Sequence, residues 1–583
     1  MTSLSQPAGT AAGRIRGGIA AGFGVLALMI LLAATPSATA AAPKATLAAA
    51  AYHLDCRSGR DGADGLTPET AWRSLARADQ QALRPGDSLL LLRDCRWGGP
   101  LYAPWSGTAN APITIGAYGD GELPTIQNSD EEIEVTGSWL VIEQVHVRTD
   151  APGVDAQCQN QPAGNRYGIR FHPGSHDDVV RDSLITDLFT GVRIDLGSHD
   201  DHILDSVFIN NDMKSNDPGS DSGAVAVDLQ GDDNEVAGNH ISGSDACSRF
   251  FNGRDGSAIS VYGGRRNVVH HNVSVDNHDF IEVGNPRTQD TLIAYNTDHS
   301  TLPLANFVVV HGLGSRYGPT EGTVVAHNTA VLTAADSAVL ECAQAVGPKE
   351  LSLRANILWG EGRVAACSTP FDEADNIYWR SDGQPDVSYQ IAASSRFIDP
   401  RLVDASAGDF HLQPDSPAID AVLPLPLAGI GDRDAAGVTV PQGFGPDIGA
   451  YEFVFPGASA FPTAAPTVPL PTASPAPTPT PRASSKPRPS RRPGTSRPPV
   501  ASGGPVASGG PVASATGTAS SAPTASVPVD PGRGAGPATP RPTAAPPPPT
   551  GGSGSLDSLL LVAALGLAGV IVAGVLLVRR RPS

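Results

Sequence analysis

Two stretches of the chain lie over each other without a gap: GIRFHPGSHDDVVRDSLI from Gly168 and GVRIDLGSHDDHILDSVF from Gly191, an offset of 23 residues. The same outline recurs with looser spacing: an alternating strand, a Gly/Asp/Asn turn and an aliphatic pair. Asp or Asn follows the pair, at Asp182, Asp205, Asn239, Asn272, Asn296, Asn328 and Asn356. Self-similarity at a period of roughly 20–35 residues marks a solenoid, and strand-plus-turn units without helical periodicity make it a β-solenoid. Such a unit cannot bury its apolar side alone; it has to stack on its neighbours.

The segments outside the repeat read differently. Arg14 and Arg16 precede an apolar run, Gly17 to Ala34, and then SATAAAP. That order is expected of a secretory signal over 1–42, with a retained N-terminal anchor as the alternative. Residues 456–555 are Pro, Ser, Thr, Ala and Gly, a composition that builds no core and is expected to be a disordered stalk reaching roughly 300 Å. Residues 559–578 are apolar and precede Arg579, Arg580 and Arg581. This pattern predicts a membrane-spanning helix with a basic cytoplasmic tail at 579–583, hence a single-pass cell-surface protein with its body outside. PPPTG at 547–551 puts Pro547 where a sortase signal carries Leu, which favours a retained helix over wall attachment.

Six cysteines in an exported chain predict three disulfides. Cys342 and Cys367 are 25 residues apart, about one turn of the solenoid. Cys56 with Cys95 would tie the N-terminal region, leaving Cys158 with Cys247, although six cysteines allow 15 connectivities. Residues 43–455 hold 27 basic and 57 acidic side chains, a net charge of −30. A body so acidic repels nucleic acid and anionic glycans unless a cation intervenes, and no nucleic-acid partner is expected. Nothing suggests more than a monomer.

Before the repeat, over 52–126, Thr67-Pro68 reads as the start of a short helix carrying Trp72, Leu75, Ala76 and Leu83 on one face and ended by Pro85-Gly86. Strands are expected at Ser88–Leu92, at ITIGAY (113–118) and within WLVIEQVHV (139–147). The succession G-D-G, T-P-E-T-A-W, R-P-G-D and A-P-I-T-I-G-A-Y-G resembles the N-terminal region of right-handed parallel β-helix proteins of the pectate-lyase-like superfamily. FIDPRLVDASAGDFHLQPDSPAIDA at 397–421, with PDIGAYEF at 446–453, resembles the choice-of-anchor Q type tail of secreted proteins. The chain departs from these patterns at Asp94-Cys95 and at Val422, where Gly is usual. The resemblance spans 52–453. It implies an all-β fold: a small N-terminal helical cap, a right-handed parallel β-helix over 127–396, and a tail over 397–455. It also implies a polysaccharide or cell-surface glycan as partner, whether for a calcium-dependent lyase, a glycoside hydrolase or a non-catalytic binding protein.

Strict alternation predicts two outward columns on the longest strands. One runs Arg170, Arg193, Ala226, Ser260 and Glu282; the other runs His172, Asp195, Asp228 and Tyr262, with His311 and Glu341 facing out beyond them. Asp195 is then expected directly over Asp228 at one strand spacing of about 4.8 Å. Carboxylates that close share a proton or a cation. Oxygen ligands suit Ca²⁺, and carboxyls about 5 Å apart suit a retaining glycosidase. Asp195 and Asp228 are therefore the metal candidates, and with Arg170, Arg193 and His172 the catalytic ones. In lyases of the resembled superfamily an arginine or lysine takes the C5 proton. Tyr262, Glu282, His311 and Lys214, a lysine on a loop within reach of Asp228, are the candidate substrate contacts, with Tyr317 as a further aromatic. Asp177-Asp178, Asp200-Asp201 and Asp232-Asp233 fit turn capping better than ion chelation. The Asn series fits an internal amide ladder.

Overall fold

The computed structural model describes residues 48–150, 163–215, 217, 220, 222–248 and 253–455. The expected signal, stalk, membrane helix and basic tail lie outside these residues, as does Cys158. Among the described residues no helix is long and apolar enough to cross a membrane.

Each repeat contributes one strand to each of three sheets of 12, 12 and 11 strands, and every neighbouring pair within those sheets is parallel. This is a parallel β-helix. The first sheet runs from Ala51–Leu54 through Val179–Arg181 to Asp372–Ala374, and the second from Arg96–Gly98 through Leu184–Thr186 to Arg396–Phe397. The third runs from Leu101–Ala103 through Tyr167–Phe171 to Asp386–Val387, and its strands are the longest, commonly five or six residues. The 23-residue offset sets the register, with Ile169 on Val192, Arg170 on Arg193 and Phe171 on Ile194.

The stack already begins inside 52–126: Ser88–Leu92 and Ile113–Tyr118 are neighbours in the first sheet. Helix there is scarcer than the sequence suggested. Pro68–Thr70 forms only a 3-10 turn, and the helix proper is Leu75–Asp79, capped by Ser74, whose Oγ accepts from the Arg77 N–H. Its buried side chains are Leu75 and Ala78, while Ala76 is exposed. The expected strand 139–147 splits at Gln144, which has φ 54°, into Leu140–Glu143 and His146–Arg148.

Between the first and second sheets every rung turns through a left-handed residue. Asp182, Asp205, His271, Tyr295, His327 and Ala355 all have φ between 45° and 56°. That region suits Asp, Asn and, to a degree, His, and is costly for Tyr and Ala. The next residue holds the turn. The Asn272 N–H donates to Asn296 Oδ1 (3.0 Å), and Asn296 Nδ2 donates to the Val269 and Ala294 carbonyls (3.0 and 3.1 Å). The ladder continues through Asn328, Asn356 and Asn376. In the early rungs its members are Ser183 and Ser206, not Asp182 and Asp205, which occupy the left-handed position one residue before.

A second ladder carries charge. Asp178 Oδ1 accepts from the Leu140 N–H (2.8 Å), Asp201 Oδ1 from the Asp178 N–H (3.0 Å), and Asn234 and Asn267 continue the series. Asp178 and Asp201 cap turns, as the turn reading required, and both are fully buried. Burial, then the charge of Asp201, pushes Asp178 up to about 9, and burial pushes Asp201 up to about 6.

Strict alternation fails in the third sheet. Ala226, Ala258, Phe280, Phe307 and Val339 lie at one register position and face the core, as does the residue next to each. Phe280 and Phe307 stack inside with centroids 5.4 Å apart and planes at 4°. Ala226 is therefore not an outward residue.

The tail packs its Leu402, Phe410, Leu412, Val422 and Ile448 on Val331, Ile357 and Ile377 of the second-sheet region. His271 Nε2 donates to the Arg433 carbonyl and His327 Nδ1 to the Asp447 carbonyl, each at 3.0 Å. Their rings stack on either side of Tyr295. Disulfides Cys56–Cys95 and Cys342–Cys367 are present as expected.

Folded Asp178 keeps a proton that the unfolded chain releases above about pH 4. Its contribution to stability therefore falls as pH rises from there towards about 9. Asp178→Asn supplies an amide that can donate to the next rung as Asn234 does to Asn267. It should raise stability by on the order of 2 kcal/mol at pH 8 and leave pH 4 unchanged. Denaturant titrations at both pH values check this; an equal shift at the two, or a loss at pH 8, contradicts it.

Candidate functional site

The outward side of the third sheet carries three columns, because each strand has two successive inward positions, such as Phe280 and Ile281, between its first two outward ones. The first column is Tyr167, Thr190, Val225, Ser257, Asp279 and Asn306. The second is Arg170, Arg193, Asp228, Ser260, Glu282 and Val309, with Glu341 next. Two residues further along each strand stand His172, Asp195, Gln230, Tyr262, Gly284 and His311. The expected stack of Asp195 on Asp228 is thus corrected: Asp228 lies in register with Arg193, and the neighbour of Asp195 is Gln230.

Toward the N-terminal end, opposite charges alternate. Glu131 binds Arg170 Nη1 (2.5 Å) and His172 Nε2 (2.9 Å). Arg170 Nε donates to Asp195 Oδ2 (2.9 Å). Arg193 then joins Asp195 (2.6 Å), Asp228 (2.9 Å) and Gln230 (2.9 Å) with Nε, Nη1 and Nη2 respectively. Tyr167 lies beside both guanidinium groups, its ring centroid 5.1 and 5.5 Å away. Burial, only partly offset by Arg193, pushes Asp228 up to about 6. Against the cost of burial, their carboxylate partners hold both arginines above the usual guanidinium range. An arginine so held is a worse base than a free one. The two carboxylates meet on a cation the chain already supplies. Among the described residues, the group with metal-ligand spacing is instead Glu131, Glu134 and His172, whose donor atoms lie within 4.8 Å of one another.

Three rungs on, a second cluster surrounds Glu282. Tyr262 OH (2.7 Å) and His311 Nε2 (2.8 Å) both donate to Glu282 Oε1. Oε2 has no partner among the described residues. His311 Nδ1 in turn meets Ser315 Oγ (2.7 Å). Tyr317 closes this side, its ring 5.7 Å from Tyr262 and 5.5 Å from His311. Gly284 makes room for the arrangement: a Cβ there would sit 2.5 Å from the Tyr262 ring. Burial works to raise Glu282, but the bonds from His311 and Tyr262 overcome it and hold the carboxyl below its ordinary range. Burial, then the charge of Glu282, drives Asp279 well above the carboxylate range, opposed by the Asn306 amide at 2.8 Å. Two carboxyls on one strand are thus pushed in opposite directions, Glu282 below the ordinary carboxylate range and Asp279 above it.

Glu282, His311 and Tyr262 come together as their outward positions implied, but Lys214 does not behave as a loop lysine. It is 4% exposed, and its Nζ donates to Asp255 at 2.7 Å. Its charge also reaches Glu282 and helps lower it. Asp279, Asp255 and Glu131 escaped the sequence reading. Asp279 and Glu131 open their strands three residues before an outward side chain, a spacing that alternation assigns to the core. The signal was present: D-F-I-E aligns with Y-G-I-R and T-G-V-R, where the residue three before the arginine is also outward.

No family model and no curated protein matches the chain. Among solved structures it is similar to a lacto-N-biosidase from Eubacterium ramulus, at 14% identity and TM-score 0.44, over 59% of this chain and 66% of that one. It is also similar to a pectate lyase, at 14% identity and TM-score 0.43, over 69% and 96% of the two chains. An alginate lyase from Paenibacillus sp. gives 18% identity and TM-score 0.37 over 51% and 96%. The chain spans about two thirds of the length of the biosidase. None of these likenesses bears on activity, and the parallel β-helix rests on its strand pairing.

If Arg193 is the cross-link of the charged half, Arg193→Ala strands Asp195 and Asp228 without their shared cation. The expected cost is about 3 kcal/mol of folding stability. Urea titration at pH 7 measures it, and a loss within that of an ordinary surface substitution contradicts the assignment.

Proposed function

We propose that the third-sheet face binds a glycan and that Glu282 and Asp279 carry out acid–base hydrolysis of its glycosidic bond. The observation that carries this reading is the state of Glu282: one oxygen is fixed by Tyr262 and His311 and the other is left open. Asp279, three residues before it on the same strand and shifted towards its protonated form by burial and by the charge of Glu282, completes the pair of unequal carboxyls that glycoside hydrolysis uses. Asp279 gives its proton to the leaving oxygen as the bond to the anomeric carbon breaks. Glu282 takes a proton from the water whose oxygen bonds to that carbon. Atoms and charge balance with no further reactant.

The lyase reading has less support. It needs a strong base and a cation for the uronate carboxylate, yet Arg170, Arg193 and Lys214 are each engaged by a carboxylate. Calcium at Asp195 and Asp228 would have to displace Arg193, so the residues present do not fit that ion, and hydrolysis at Glu282 requires no metal. The sequence of 456–578, expected to form a stalk and a membrane span, and the choice-of-anchor Q resemblance of the tail support a cell-surface setting for this face.

The test is incubation of the protein with soluble xylan, galactan, mannan and mixed-linkage glucan, and with pectate and alginate, each with and without a chelator. New reducing ends from a neutral glycan are expected, unaffected by chelation. Glu282→Gln should lower kcat about a thousandfold while glycan binding persists. The rate should fall in acid as Glu282 takes up a proton and again in alkali as Asp279 loses one. Unsaturated uronate products would replace this reading with the lyase. Binding with no turnover on any substrate would replace it with a binding protein.

A further inference from the structure

We infer that the glycan face extends to a distal aromatic subsite at Tyr102, and that its ligand is a polymer rather than a short oligosaccharide. This rests on the glycan-binding reading above. Tyr102 is in register with Glu134 and so opens the same column that leads through Arg170, Arg193, Asp228 and Ser260 to Glu282. The other tyrosines of this face, Tyr167, Tyr262 and Tyr317, are partly buried, but Tyr102 is 47% exposed. It lines a cleft of about 580 Å³ between the short helix and the first strands, with Arg73, Asp79, Arg96, Trp97 and Pro100.

The cleft is built and is continuous with the face. Trp97 is buried behind it and donates its Nε1–H to the Arg73 carbonyl (2.9 Å). Asp79 Oδ1 accepts from the Tyr102 backbone N–H (3.2 Å). The charge of Asp79 also reaches Glu134, the next residue of the column. An exposed aromatic face with a few convergent polar groups is the composition of a sugar pocket: the ring takes the apolar side of a pyranose, and the carboxylate and arginines take its hydroxyls. Isolated exposed tyrosines are ordinary; this one heads the column that ends at the carboxyl pair. Six rungs separate Tyr102 from Glu282, roughly 29 Å at the usual strand spacing. A disaccharide or trisaccharide cannot engage both ends. The chemistry in between, with every arginine neutralised, takes an uncharged chain.

The experiment compares full-length wild type, Tyr102→Ala and Tyr102→Phe on soluble xylan, galactan, mannan and mixed-linkage glucan and on the trisaccharides of the same linkages. For the polymer that wild type cleaves, Tyr102→Ala should raise KM roughly tenfold with kcat unchanged, leave the trisaccharide untouched, and be rescued by Tyr102→Phe. Equal loss on trisaccharide and polymer, or no change on either, overturns the subsite. Polymer affinity of the three proteins in the Glu282→Gln background is read by calorimetry, so the subsite stands or falls even where turnover is absent. Weaker polymer binding in Tyr102→Ala supports it without catalysis. Absence of glycan binding by wild type overturns both proposals together.

Discussion

Everything in this molecule depends on one residue position recurring in the same environment at each rung. The Asn ladder is the clearest case. Each amide closes its own turn, accepts from the rung before and donates to the rung after, so a mismatch in one rung leaves buried donors unmet in two. That collective satisfaction explains how Tyr295 and Ala355 hold a left-handed backbone that neither favours alone. The cost at each turn is met by hydrogen bonds that the neighbouring turns complete. The ladder is also permissive about chemistry, since Ser183, Ser206 and the Asn series fill equivalent places. It is less permissive about charge. Asp178 and Asp201 are carboxyl neighbours at rung spacing held inside a turn, and burial with the charge of Asp201 pushes Asp178 up to about 9.

The outer face solves its charge problem differently at its two ends. From Glu131 to Gln230 the carboxylates of Glu131, Asp195 and Asp228 are each met by a guanidinium, while Glu134 has no ion pair among the described residues; the paired groups have little reactivity left to offer and a good deal of rigidity. Around Glu282 the donors are a phenol and an imidazole. They hold one carboxylate oxygen in place without neutralising the group, and the second oxygen stays available. The same sheet thus supplies a stiff, largely ion-paired floor and, two rungs past Asp228, a carboxyl pair whose members are shifted in opposite directions.

The period, the parallel stacking, the disulfides within the described residues and the amide ladder were legible because they repeat, or because they follow from one turn lying on the next. The errors share a cause. Register holds wherever the 23-residue offset holds, from Arg170 to Arg193, and fails at the third rung. There the long loop ending near Gly223 intervenes, and Ala226 turns inward beside Val227. A two-residue slip moved Asp228 from the arginine column to the aspartate column and created a carboxylate pair that does not exist. Lys214 was misjudged because loops usually expose lysine, whereas this loop folds back so that the ammonium reaches Asp255.

The carboxyl pair itself is a product of stacking. Glu282 and Asp279 are three residues apart on one strand, separated by Phe280 and Ile281, which face the core. Nothing in that strand distinguishes their acidity. Tyr262 comes from the rung before and His311 from the rung after, and both reach the same oxygen. Among the described residues Asn306, also from the rung after, is the hydrogen-bonding counterpart of the Asp279 carboxyl, and an amide does not offset burial as two donors on Glu282 do. Gly284 supplies the remaining condition, because any side chain in that place would push Tyr262 away from Glu282. The opposition between the shifts of the two carboxyls therefore belongs to three successive rungs. It vanishes if any one slips, which ties the chemistry of the face to the ladder that fixes the register.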